Sequence, residues 1–206
     1  MIDPTHNNIQ FIETPEGEET LYIDGSQAMQ AWERSLMKEA AEILCQYGSS
    51  FLEVGLGFGI SGLHIAFHAN TESHTILELH REVIDMFYRN HPESIDRLRI
   101  INADFFDYIP SMPDESVDGI FFDPALALSV WRNETVWKVF VPHIVRVLRT
   151  GGAFVPFFST KPQLREQYVR HFNRVVVKRY PFKAYPGTQY TYGTEGDAYI
   201  QCFVKE

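Results

Sequence analysis

Residues 51–59, Phe-Leu-Glu-Val-Gly-Leu-Gly-Phe-Gly, combine an apolar run, one acid and three alternating glycines. The apolar run predicts a buried strand over 51–54, and the residues after Gly59 predict a helix over 60–68. Because glycine has no side chain, the backbone of the turn between them can approach a nucleoside closely. The free N–H groups at the start of the helix would face the same ligand. The segment therefore predicts a nucleoside-binding turn.

Glu53 stands two residues before the first glycine and favours one class of nucleoside. The spacing Glu-x-Gly-x-Gly-x-Gly differs from the Gly-x-Gly-x-x-Gly of dinucleotide-binding folds, in which the turn accommodates a pyrophosphate. An acid at this position would repel a pyrophosphate and attract a positively charged ligand. We therefore predict that Glu53, Gly55, Gly57 and Gly59 bind S-adenosylmethionine, a sulfonium amino acid joined to adenosine.

Strand-like and helix-like patterns alternate along the rest of the chain. Near-continuous apolar strands separated by helices are typical of a parallel sheet covered on both faces. The last two predicted strands are joined by an aromatic, glycine-rich loop that is too short for a crossover helix, so they are expected to pair as an antiparallel hairpin at the edge. The predicted fold is α/β, a doubly wound, Rossmann-like sheet of seven strands. The predicted strands are 51–54, 74–79, 98–101, 117–122, 153–158, 174–180 and 198–205, and the clearest helices are 81–90 and 134–149.

Length and composition indicate one domain without a nucleic-acid partner. The chain has 206 residues and a net charge of −9, whereas binding to a phosphate backbone needs a basic surface. Residues 1–26 are predicted to be an N-terminal lead, and residues 27–206 a single domain that opens with an amphipathic helix over 27–47. Cys45 and Cys202 are too few for a disulfide framework or a cysteine metal site. We expect a cytoplasmic protein with no metal and no membrane partner, and a homodimer is compatible with the sequence.

Polar side chains follow the ends of the predicted strands, where ligands of such sheets bind. Glu78 ends the second strand and can accept hydrogen bonds from both ribose hydroxyls. Asp104 and Phe105 follow the third strand and suit an adenine ring, although Asp104 could equally cap a short helix. Asp123 follows the fourth strand and precedes Pro124, which fixes it at the rim of the sheet. These residues predict a site along one edge of the sheet.

The ordered motifs resemble those of class I S-adenosylmethionine-dependent methyltransferases. More closely, the chain is similar to the family of guanidinoacetate N-methyltransferase and arginine δ-N-methyltransferases. The resemblance runs from about residue 21 to residue 160. Its most specific piece is the segment Met-x-x-Trp-Glu-x-x-x-Met at 29–37. The other matching segments are 21–25, 52–57, 77–78, 113–123 and 146–152.

This resemblance implies two sets of site residues. In the family, the acid of the Trp-Glu element and the acid that ends the fourth strand grip a guanidinium group; here these are Glu33 and Asp123. The cofactor residues carried over from the family are Gly55, Gly57 and Glu78, with Met37 nearby and Phe105 in the position where a tryptophan is common beside adenine.

Two carboxylates also make chemical sense for a guanidino acceptor. A guanidinium is protonated at physiological pH, so one nitrogen must lose a proton at or before methyl transfer. Asp123 would accept that proton, while Glu33 would hold the other face and stabilise the remaining charge. We therefore predict N-methylation of the guanidino group of a small molecule such as guanidinoacetate or arginine.

Two alternatives remain open at this stage. The family usually has Thr-Pro-Tyr after Trp-Glu and Thr-Tyr-Pro after the fourth-strand acid, whereas this chain has Arg34-Ser-Leu36 and Pro124-Ala-Leu126. These departures favour a methyltransferase of the same fold that acts on an amine, carboxylate or hydroxyl. The second alternative is a catalytically silent module that only binds S-adenosylmethionine.

Overall fold

A computed structural model describes residues 8–206, which form two β-sheets and the helices that pack on them. The strands are β1 (Ile9–Glu13), β2 (Glu19–Ile23), β3 (Ser26–Gln30), β4 (Ser50–Val54), β5 (Ser73–Glu78), β6 (Arg99–Asn102), β7 (Val117–Phe122), β8 (Leu148–Pro156), β9 (Arg174–Lys183) and β10 (Glu195–Val204). The α-helices are α1 (Arg34–Cys45), α2 (Ile60–Phe67), α3 (Arg81–Asn90), α4 (Phe105–Tyr108), α5 (Leu128–Trp131), α6 (Glu134–Val147) and α7 (Glu166–Val169). None of the helices within residues 8–206 is long and apolar enough to span a membrane.

The larger sheet has seven strands in the order β6-β5-β4-β7-β8-β10-β9. Neighbours from β6 to β8 are parallel, and β10 runs antiparallel to both β8 and β9. The predicted doubly wound, mostly parallel sheet is therefore confirmed. The strand order reverses at β4 and β7, and ligands of such sheets bind beyond the carboxyl ends of the strands at that reversal.

Alternate residues of the central strands bury their side chains on opposite faces of this sheet. Phe51 and Phe121 belong to the core beneath α1, together with Leu44 of that helix. Leu52 and Phe122 belong to the core on the other face, together with residues of α6. Because successive side chains of a strand point to opposite faces, a near-continuous apolar run is what a sheet covered on both sides requires.

The N-terminal region differs from the predicted lead and helix. The strands β1, β2 and β3 form a three-stranded antiparallel sheet, and α1 begins only at Arg34, so residues 27–33 are not α-helical. Met29 fits a helical spacing, yet its residue pairs with Leu21 of β2, and both side chains are buried in the core. That burial outweighs the local helical pattern. Residues 1–7 of the predicted lead lie outside the described residues.

Candidate active site

A cavity of about 280 Å³ lies beyond the carboxyl ends of β4, β5, β6 and β7. The small N-terminal sheet covers one side of it through Leu21, Ile23 and Met29. Seven of the residues proposed from the sequence line this cavity, namely Met37, Gly55, Gly57, Glu78, Asp104, Phe105 and Asp123.

The glycine turn forms a floor that a side chain would fill. Gly55 has a φ of +88°, and a Cβ atom placed on it would lie 2.4 Å from the backbone oxygen of Asp123. A Cβ atom on Gly57 would lie 2.5 Å from the sulfur of Met29. Only glycine fits these positions. The backbone here is therefore close-packed and exposed to the cavity, as a nucleoside cradle requires.

The other three residues proposed from the sequence, Glu33, Glu53 and Gly59, do not line the cavity. Glu53 is fully buried, accepts a hydrogen bond of 2.5 Å from the Ser61 hydroxyl, and has its other carboxylate oxygen 3.0 Å from Nε2 of His74. Gly59 faces the ring of Phe87. This placement does not give Glu53 the direct contact with a positively charged ligand that its spacing predicts. It ties the first turn of α2 to β4 and β5 instead.

Glu78 is held rigidly at the end of β5. One carboxylate oxygen accepts the backbone N–H of Leu56 at 2.9 Å, and the other accepts the backbone N–H of His80 at 2.8 Å. Burial raises the pKa of Glu78 above its ordinary value, although both hydrogen bonds oppose the shift. Each oxygen retains acceptor capacity, so the side chain can still accept hydroxyl groups from a ligand in the cavity.

Asp104 caps a helix and also lines the cavity. One of its oxygens accepts the backbone N–H of Phe106 at 2.7 Å and caps α4, while the residue also lines the cavity. Phe105 is buried beside it and packs edge-on against Phe122, with 4.9 Å between ring centroids. The end of β6 therefore offers the cavity a fixed acid and an aromatic wall.

Glu33 is buried at the start of α1, with 5% of its surface exposed. Its Oε1 accepts the backbone N–H of Gln30 at 2.7 Å and the hydroxyl of Tyr190 at 2.5 Å. Burial raises the pKa of Glu33 to about 7, even though both hydrogen bonds lower it. At neutral pH this carboxyl group therefore stands near the midpoint of its titration.

Asp123 directly follows β7 and keeps part of its surface open to the cavity. The low-dielectric surroundings raise the pKa of Asp123 well above its ordinary value, and the charges of Glu33 and Glu53 raise it further. Arg165, whose guanidinium stacks 4.1 Å from the Phe157 ring centroid, has the opposite effect on Asp123. The structure thus brings Glu33 and Asp123 close enough for their charges to interact.

The sequence patterns miss two features of this site. Tyr190 lies on the loop between β9 and β10, and its bond to Glu33 spans 157 positions in the chain. Its ring stacks on Trp32, with 6.2 Å between centroids and 17° between planes. The aromatic composition of the loop is a signal for such a contact, but no local spacing identifies the partner. Arg165 is missed because Asp123, whose pKa it lowers, follows β7 and is far from Arg165 in the sequence.

Solved structures with the same fold include two spermidine synthases and one N-methyltransferase. The spermidine synthase from Thermotoga maritima is 15% identical, with a TM-score of 0.71 over 97% of this chain and 70% of that chain. A spermidine synthase in complex with the transition state analogue AdoDATO is 14% identical, with a TM-score of 0.69 over 97% of this chain and 71% of that chain. The N-methyltransferase NodS from Bradyrhizobium japonicum WM9 is 14% identical, with a TM-score of 0.62 over 85% of this chain and 97% of that chain.

A family model described as guanidinoacetate N-methyltransferase matches residues 7–175. That range contains both acids, the glycine turn and the polar ends of β5 and β6. The cavity fits a nucleoside cofactor, because it joins a side-chain-free floor to Glu78, Asp104 and Phe105. A catalytically silent module is thereby set aside. The chain belongs to the guanidinoacetate N-methyltransferase family and is an S-adenosylmethionine-dependent methyltransferase.

Proposed function

We propose that the protein methylates a nitrogen of the guanidino group in a small molecule such as guanidinoacetate or arginine. The observation that supports this most directly is that buried Glu33 and the half-buried, cavity-lining Asp123 lie close enough for their charges to interact. Two carboxyl groups that share one desolvated site oppose each other's ionisation. A planar cation with several N–H donors satisfies both of them at once, and a guanidinium is such a cation.

We assign the cofactor to the floor and the polar strand ends of the cavity. Glu78 would accept the ribose hydroxyls, Asp104 would accept an adenine N–H, and Phe105 and Met37 would pack against the nucleoside. S-adenosylmethionine supplies the methyl group as an electrophile when it is bound. Every other requirement of the reaction, namely binding, orientation and removal of one proton, falls to residues of this chain.

The two acids divide those requirements. Glu33, which lies outside the cavity lining, would bind the guanidinium through its second carboxylate oxygen and so orient one nitrogen. Asp123 accepts the proton that this nitrogen loses as it becomes nucleophilic. The charge of the bound cation lowers the pKa of both carboxyl groups, so they ionise as the acceptor binds. Loss of a proton removes the charge of the bound guanidinium, and burial then again favours the protonated form of Asp123.

The acceptor class is tested by a panel of compounds with labelled S-adenosylmethionine. We expect guanidinoacetate or arginine to be methylated, and simple amines, carboxylic acids and alcohols not to be. The Glu33→Gln variant should lower kcat/KM for the guanidino acceptor by about 10- to 100-fold, because a hydrogen bond to a charged group contributes about 1.5–3 kcal/mol.

Glu39→Gln is the matched control for that variant, since Glu39 is exposed on α1 and should leave the panel unchanged. Methylation of amines in place of guanidino compounds would contradict the proposal. So would a Glu33→Gln enzyme with unchanged kcat/KM for the guanidino acceptor.

The pH dependence of kcat/KM gives a second prediction. Burial raises the pKa of Glu33 to about 7, so the free enzyme carries a neutral Glu33 below that pH. Acceptor binding needs the ionised form, and kcat/KM for the acceptor should therefore rise as the pH increases through about 7. The measurement is kcat/KM against pH at saturating cofactor. A profile that is flat across neutral pH would contradict it.

A further inference from the structure

We propose that Tyr190 is a positioning residue of the acceptor site, whose hydroxyl holds the Glu33 carboxylate in the orientation that binds the acceptor. This inference rests on the proposed function, because it assigns Glu33 to the acceptor. It extends that function to the loop between β9 and β10, which carries Tyr190.

The two oxygens of Glu33 have different surroundings. Oε1 accepts both the Tyr190 hydroxyl at 2.5 Å and the Gln30 N–H at 2.7 Å. Oε2 receives no hydrogen bond from residues 8–206 and is not sealed from solvent. Two donors on one oxygen fix the plane of the carboxylate and leave the other oxygen for a ligand. The Tyr190 hydroxyl, together with the Gln30 N–H, thus fixes the orientation of the Glu33 carboxylate.

The loop is fastened at several points to the N-terminal sheet. The Gln27 side chain donates to the Gly187 carbonyl at 3.1 Å and accepts the Gln189 N–H at 2.8 Å. The Thr188 hydroxyl donates to Oε1 of Gln30 at 2.6 Å. The Tyr190 ring is stacked on Trp32, and its hydroxyl lies 2.5 Å from Oε1 of Glu33 and 3.3 Å from Oε1 of Gln30. These contacts join the segment that carries Glu33 to the loop that carries its donor.

The charged groups around the site keep the Tyr190 hydroxyl protonated, so that it donates a hydrogen bond. Tyr190 faces Glu33 and Asp123, and burial together with these two acids raises its pKa above the usual tyrosine value. Asp123 in turn faces Glu33, Glu53 and Arg165. The phenol therefore remains protonated and donates throughout the working range of the enzyme. Its hydrogen bond stabilises the ionised form of Glu33 and opposes the effect of burial.

The Tyr190→Phe variant tests this inference, because it keeps the ring on Trp32 and removes only the hydroxyl. Loss of a hydrogen bond to a carboxylate should move the titration of Glu33 upward by about one to two pH units. The titration is followed by NMR of protein with ¹³C-labelled glutamate, in which Glu33→Gln assigns the signal. In activity, the rise of kcat/KM should move to higher pH by the same amount and recover at alkaline pH. A purely structural role would lower activity without that recovery.

Tyr192→Phe is the matched control, since Tyr192 lies on the same loop and is 73% exposed. It should leave both the Glu33 titration and the pH profile unchanged. An unmoved Glu33 signal in folded Tyr190→Phe protein would overturn the inference. The NMR readout needs no acceptor, so a shifted signal in an enzyme that methylates no guanidino compound would refute the acceptor class and leave the link between Tyr190 and Glu33 standing.

Discussion

Replacing Asp123 by asparagine should lower kcat for methyl transfer to the guanidino acceptor by about 10²- to 10⁴-fold, the usual contribution of a general base. The amide has nearly the same shape and keeps the backbone N–H of residue 123 on the Val54 carbonyl, at 2.9 Å in the native protein. It cannot take up a proton, and it adds no negative charge opposite Glu33. The chemical step should therefore suffer much more than the architecture. Single-turnover kinetics with labelled cofactor measure that step directly.

Two controls distinguish loss of the proton acceptor in Asp123→Asn from a general loss of cofactor binding or structure. Calorimetry should show cofactor affinity within a few-fold of the native enzyme, because only the end of the Asp123 side chain changes. Asp107→Asn is the matched control on the exposed face of α4, and its kcat should not change. An Asp123→Asn enzyme that keeps kcat within tenfold of the native value would remove Asp123 from the role of base.

Replacing Gly55 by alanine should also cause a large loss, here of both cofactor affinity and kcat/KM. In Gly55→Ala the new methyl group would lie 2.4 Å from the Asp123 backbone oxygen, so the turn or the end of β7 must shift by about 1 Å to restore an ordinary contact. A displacement of that size in a catalytic site costs about 100-fold in kcat/KM. We expect weaker cofactor binding and lower kcat/KM together, because Asp123 and the cofactor floor move as one. Calorimetry and steady-state kinetics measure the two effects.

The Gly151→Ala variant shows how much of the Gly55→Ala effect comes from the positive φ alone, without a steric clash. Gly151 has a φ of +83°, close to the +88° of Gly55, but a Cβ atom on it would meet nothing within 4 Å. This control should lose only the conformational cost of about 1–2 kcal/mol in stability and keep its cofactor affinity. If Gly55→Ala binds the cofactor as tightly as Gly151→Ala does, the close contact between residue 55 and the Asp123 backbone oxygen is not required for cofactor binding.

The parallel sheet could be predicted because its signals are local. A few consecutive residues are enough to predict each strand end: the apolar run before Gly55, the acid that ends β5, and the aspartate that follows β7. Helix α3 was expected over 81–90 and is found at Arg81–Asn90. The strand order then brings these separate ends to one edge, so the residues that line the cavity follow from the topology.

The N-terminal sheet and the loop contact could not be predicted in the same way. Strand β3 has only five residues and runs directly into the turn before α1, so its apolar positions also fit the helix that follows. Its extended form depends on pairing with β2, which is a tertiary contact. The hydroxyl of Tyr190 meets Glu33 only after the hairpin of β9 and β10 has folded back over Trp32. The spacing of Glu53 predicts a ligand contact, whereas the neighbours of Glu53 that the fold supplies, Ser61 and His74, could not be predicted from that spacing.

The fastening of the β9–β10 loop to β3 has a consequence for redesign. The glycine floor and the ends of β5 and β6 belong to the central sheet. Glu33 and Tyr190 instead lie on two other segments, which are joined by hydrogen bonds of the Gln27 and Gln30 side chains. A chimera that alters the acceptor site should therefore exchange both segments together and keep the contact between Met29 and the glycine turn of the central sheet. Transplanting only one of the two segments would remove the hydrogen bonds of Gln27 and Gln30 to the loop. It would also leave Glu33 without the Tyr190 hydroxyl, or Tyr190 without Glu33.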